Sequence, residues 1–122
     1  MKGSEKQVKW AMDIISSTLE GLDQLVEVFK EERAAWEEKL ANADTAPDPA
    51  KRVKRCNKAF AEIAENLTTI EVVRERLQKA DDARVIIDER FLLGRYTPMG
   101  QQKDIAQALY NLRCVKSGKS QF

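Results

Sequence analysis

Histidine is absent from the chain, which removes the Ser/His and Cys/His nucleophile pairs, the usual general base and the commonest metal ligand. The two cysteines, Cys56 and Cys114, form no Cys-x-x-Cys pair, so neither a disulfide framework nor a zinc site is suggested, and both read as buried thiols. The carboxylate pairs Asp81-Asp82 and Asp88-Glu89 are adjacent in sequence, and neighbours on a helix point about 100° apart. They do not converge as an acid/base couple or a metal site, and Asp81 or Asp82 better suits a helix start. No Gly-rich phosphate loop, Gly-x-Ser-x-Gly turn or His-Glu-x-x-His motif occurs. The expectation is a protein that is not an enzyme and carries no cofactor and no metal.

Basic residues are more informative. From Pro49 to Ala61 the sequence holds Lys51, Arg52, Lys54, Arg55 and Lys58 with no acid among them, at a helix start whose macrodipole favours negative charge. With Val53, Cys56 and Phe60 assigned inward, Lys51, Lys54, Arg55 and Lys58 should project away from the preceding helix, with Arg52 at the border. These four are candidates for contact with nucleic-acid phosphates. The plainer alternatives are a solvated patch balanced by Glu31, Glu37 and Glu38, or a dock for an acidic protein. No aromatic residue interleaves with the cluster to stack on bases.

The elements that must carry these residues follow from apolar spacing. Val8, Ile15, Leu22, Phe29 and Trp36 occupy one heptad position, and Met12, Leu19, Val26, Arg33 and Leu40 the other, which predicts one long helix beginning after Ser4 as N-cap. The segment Ala43-Asp44-Thr45-Ala46-Pro47-Asp48-Pro49 stops it, and Asp48 followed by Pro49 restarts another as cap and first residue. In the second helix Val53, Phe60, Leu67 and Arg74 take one position and Cys56, Ile63, Ile70 and Leu77 the other. A short connection forces the two to lie antiparallel, placing Leu40 against Val53, Phe29 near Ile63, Leu22 near Ile70 and Ile15 near Leu77. Arg33 and Arg74 interrupt the seam, and their heads should reach outward to Glu37 and Glu71.

A two-helix hairpin cannot enclose a core. Trp10, Ile14, Leu25 and Val28, with Gly21 between them, form a second stripe on the first helix where something should dock, either the chain's own C-terminal helices or a partner. Those helices are expected over Asp82–Leu93, ended by Gly94, and Pro98–Val115, capped by Thr97 and followed by Gly118. The fold class is therefore all-α: a long antiparallel, coiled-coil-like hairpin over 4–80, two shorter helices over 82–116 and a loose tail over 117–122, in one helical domain.

With 122 residues, 43% hydrophobic and 34% charged, the chain is too apolar for disorder and its helices too charged for a bilayer. Net charge is only +1, divided as −4 over residues 1–46, +3 over 47–80 and +2 over 81–122, so the hairpin's two arms are complementary. No leader pattern opens the sequence, and a cytoplasmic site is the default expectation. The leading functional reading is a protein-protein interaction protein of adaptor or inhibitor type, acting by surface binding with Trp10, Ile14, Leu25 and Val28 as partner candidates, alone or as a homodimer. The alternative is a nucleic-acid-associated accessory protein touching phosphates through Lys51, Lys54, Arg55 and Lys58.

Overall fold

A computed structural model describes residues 1–93 and 102–118. Helix α1 spans Glu5–Ala41, α2 spans Pro49–Gln78, two short helices α3 and α4 cover Ala83–Asp88 and Arg90–Leu93, and α5 runs Gln102–Lys116. The described residues contain no strand, only an isolated bridge between Lys2 and Asp82. The all-α hairpin with shorter C-terminal helices is thus observed. The expected stop at Gly94, the cap at Thr97-Pro98 and the end of the tail lie outside the described residues.

Helix ends form where cap chemistry places them. The Ser4 hydroxyl accepts from the Gln7 backbone N–H at 3.2 Å while the Gln7 side chain accepts from the Ser4 N–H at 2.9 Å, a reciprocal capping box. A short 3-10 turn, Ala43–Thr45, follows α1, and α2 starts at Pro49 with the Asp48 carboxylate accepting from the Lys51 N–H at 3.1 Å. Gly118, at a left-handed φ of 80°, closes α5.

The heptad reading holds for one position in each helix and slides by one residue at the other. Ile15, Leu22 and Phe29 of α1 and Cys56, Ile63, Ile70 and Leu77 of α2 are buried as expected. Met12 is 49% exposed and Val53 37%, with Leu40, Leu19, Val26, Phe60 and Leu67 only half-buried. Ala11, Thr18 and Leu25 take the inner place on α1, and Ala59 and Val73 on α2. The physical reason is a second neighbour: α1 packs on α3 as well as α2, and α2 on α5, so each buried face turns toward the C-terminal helices. A Leu40–Val53 layer is accordingly not a core contact.

Arg33 and Arg74 behave as their spacing implied. Arg33 meets Glu37 at 3.4 Å and Arg74 meets Glu71 at 3.5 Å, but Arg74 also reaches Asp23 of α1 at 2.7 Å. That last contact is the one ion pair between α1 and α2 among the described residues, so charge complementarity along the hairpin is largely unspent.

The segment expected as one helix over Asp82–Leu93 breaks at Glu89. The run Val85-Ile86-Ile87 is β-branched throughout and weakly helical. Beyond the break, the buried Thr18 hydroxyl lies 2.7 Å from the Ile14 carbonyl oxygen and 2.8 Å from that of Leu93, where its single proton ties α4 to α1. At the base, the Lys2 N–H donates to the Asp81 carbonyl at 2.6 Å and the Ala83 N–H returns to the Lys2 carbonyl at 2.8 Å. Gly3 permits this clasp: its φ is +133°, and a Cβ there would lie 3.0 Å from that of Ala83.

Asp82 caps α3 through the Arg84 N–H at 3.0 Å and pairs with the Arg84 guanidinium at 3.2 Å. The guanidinium first, and then the backbone N–H, hold its carboxyl below the usual aspartate range. A depressed folded-state pKa contributes stability above the unfolded pKa, and that contribution is lost as pH falls through the folded one. Asp82→Asn keeps a capping oxygen but not the charge. Urea titrations stepped from neutral to acid pH should therefore show a shallower loss of stability in this variant than in the wild type.

Candidate functional site

The sequence-derived partner stripe divides once the chain folds. Leu25 is fully buried and Ile14 is 9% exposed, both within the core formed with the C-terminal helices. Val28 is half-buried, and Trp10 is 48% exposed with the Arg90 guanidinium 5.4 Å from its ring centroid. The stripe is therefore mainly a seat for the chain's own helices, and only its edge residues meet solvent. Gly21 is buried among them.

The core cluster draws on α1 up to Phe29 and on α2 from Ile63 onward, joined by helices α3 to α5. Beyond that level α1 and α2 continue as a two-helix arm. From Lys30 to Ala41 no side chain is buried, and only Trp36 and Leu40 are half-buried. On the α2 side of the arm Cys56 and Ala59 are buried between charged neighbours, and Ala43 is buried in the turn.

At the end of this arm lies a cleft of about 360 Å³ whose wall includes Trp36, Lys39, Asp48, Lys51, Arg52 and Arg55. The Lys39 ammonium sits 4.3 Å from the Trp36 ring centroid, a cation–π contact on one helical turn of α1. Lys51, Arg52 and Arg55 come from the first two turns of α2. Among the described residues none of Lys51, Arg52, Lys54, Arg55 and Lys58 forms a side-chain hydrogen bond or ion pair, and Glu31 and Glu38 pair with none of them.

The basic residues divide on folding: Lys51 and Arg55, both exposed, and the half-buried Arg52 line the same cleft as Trp36 of α1. Lys54 and Lys58 are exposed and are not part of the cleft wall. Sequence reasoning placed Trp36 in the heptad seam and gave Lys39 no role. The fold-back that brings both beside the basic run was legible in Pro47-Asp48-Pro49.

A second cavity of about 480 Å³ at the opposite end includes Arg76, Lys79, Asp81, Asp82 and Val85 in its wall. There Arg76 donates to the carbonyl oxygens of Val115 and Lys116, the latter at 3.3 Å, so this cation is already engaged at the end of α5. The described residues hold no cluster of metal-ligating side chains, and no helix among them is long and apolar enough to cross a membrane. Comparison with protein-family models, with curated proteins and with solved structures finds no match to the chain.

Proposed function

We propose that this is a non-enzymatic interaction protein whose working surface is the arm that α1 and α2 extend beyond the bundle. One observation supports the reading above others: the arm exposes acids of α1, interspersed with Lys30, Arg33 and Lys39, opposite a run of bases on α2, and those acids and bases form no ion pair with each other. Glu31, Glu32 and Glu38 of α1 and Lys54 and Lys58 of α2 are exposed and form no ion pair across the hairpin. A bundle that closed at Phe29 and Ile63 would lose few buried side chains, so core stability alone does not account for the arm's length.

The occupant that fits such a surface is a second copy of the chain. In a two-fold pair of arms, the acidic face of α1 meets the basic face of α2 in the other copy and the reverse contact repeats by symmetry. Sedimentation equilibrium should show a dimer at low salt that dissociates as salt rises. Lys54→Glu with Lys58→Glu, or Glu31→Lys with Glu32→Lys, should each give a monomer, and mixing the two variants should restore a dimer. A wild type that stays monomeric at high concentration and low salt refutes the reading, as does a dimer indifferent to both sets of charges.

A further inference from the structure

The cleft at the end of the arm goes beyond this reading, because Lys54 and Lys58, through which the pairing of arms is tested, are not part of its wall. Four cations from two helices line it, beside the single carboxylate of Asp48. Arg52 and Arg55 stand one turn apart on α2, and Lys39 is positioned by its contact with Trp36. Among the described residues none of the four forms an ion pair, and an anion of high charge density would offset their mutual repulsion.

The backbone supplies little here. Pro49 has no N–H, the Lys51 N–H is taken by the Asp48 carboxylate at 3.1 Å, and the Arg52 N–H goes to the Asp48 carbonyl at 3.1 Å. Recognition falls to the side chains. A lone carboxylate would neutralise one of four cations, whereas a phosphate group offers several oxygens to two guanidinium forks at once. The ring face of Trp36 that Lys39 covers is closed to a stacked base, so charge sets the ligand class. We propose that this cleft binds a phosphate-bearing ligand of more than one negative charge, held by Lys39, Lys51, Arg52 and Arg55. Its source is either a free polyphosphate or the terminal phosphate of a nucleic-acid strand.

The chain has two tryptophans, so Trp10→Phe leaves Trp36 as the sole indole reporter inside the wall. Inorganic pyrophosphate titrated at constant ionic strength should give a saturable change in Trp36 emission, with calorimetry run alongside to register binding that leaves the ring unmoved. Arg52→Gln with Arg55→Gln should weaken binding roughly tenfold or more, the loss expected for charge-assisted contacts. Lys54→Gln with Lys58→Gln removes as much charge outside the cleft and should change it by about twofold at most. Asp48→Asn retains a cap and removes the opposing charge, and should tighten binding.

An oligonucleotide with a terminal phosphate that displaces pyrophosphate, where the same strand lacking it does not, identifies the strand end as the source. Failure of both strands identifies a free polyphosphate. Displacement by both strands, equal loss in the two glutamine pairs, or no pyrophosphate binding by either readout overturns the proposal.

Discussion

Leu25→Glu should leave no cooperative thermal transition by circular dichroism, whereas Trp10→Ala, on the same sequence-derived stripe, should melt close to wild type. Leu25 is fully buried in the core shared by α1, α2 and the C-terminal helices, so the substitution deletes its packing and strands a carboxylate without a partner. Losing a buried leucine costs about 2–5 kcal/mol and an uncompensated buried charge about 3–5 kcal/mol more, against a total stability of about 5–15 kcal/mol for a typical domain. Leu25→Ala is the graded control and should lower stability by about 2–5 kcal/mol while retaining the transition. Trp10 is 48% exposed and keeps the Arg90 contact, worth about 0.5–1 kcal/mol at such a site. If Leu25→Glu folds normally and instead changes only self-association, α1 does not pack as described.

The second large effect is expected at Arg76. Its guanidinium is half-buried and donates to the last carbonyl oxygens of α5, those of Val115 and Lys116, where the helix dipole also favours a cation. Arg76→Leu retains an apolar stem and removes the donors. The carbonyls lose charge-assisted bonds worth about 1.5–3 kcal/mol, and α5 loses one of its side-chain ties to α2, leaving that between Arg113 and Asn66 at 3.3 Å. Hydrogen exchange should accelerate in α5 before it does in α1 or α2. Uniform acceleration along the chain would show that α5 does not open separately.

Much of the hairpin could be read from spacing because its determinants are local. Ser4 with Gln7 and Asp48 with Pro49 lie within one turn of the ends they define, and Arg33 with Glu37 and Arg74 with Glu71 are separated by the intervals that bring helical side chains together. The direction of the buried face was less legible. A heptad records that apolar residues recur, but the number of neighbours decides which edge turns inward, and a second neighbour moved the inner position from Met12 to Ala11 and from Phe60 to Ala59. The hydrogen bond from Thr18 to the Leu93 carbonyl, which fixes α4 after the break at Glu89, is likewise a long-range contact that spacing does not encode. In the candidate site, the basic run was plain, but its sorting into cleft residues and solvated residues required Trp36 and Lys39 to be brought across the turn.

The clasp at the base also bears on the order in which the molecule assembles. Its two hydrogen bonds join Lys2 to Asp81 and Ala83, so nearly the entire hairpin must be spanned before they can close. Loop-closure entropy favours the near turn at Pro47 to Pro49 over that distant meeting, and the paired rods then carry the chain's first residues to their destination. A latch that closes late is expected to slow unfolding when strengthened and to leave the folding rate nearly unchanged.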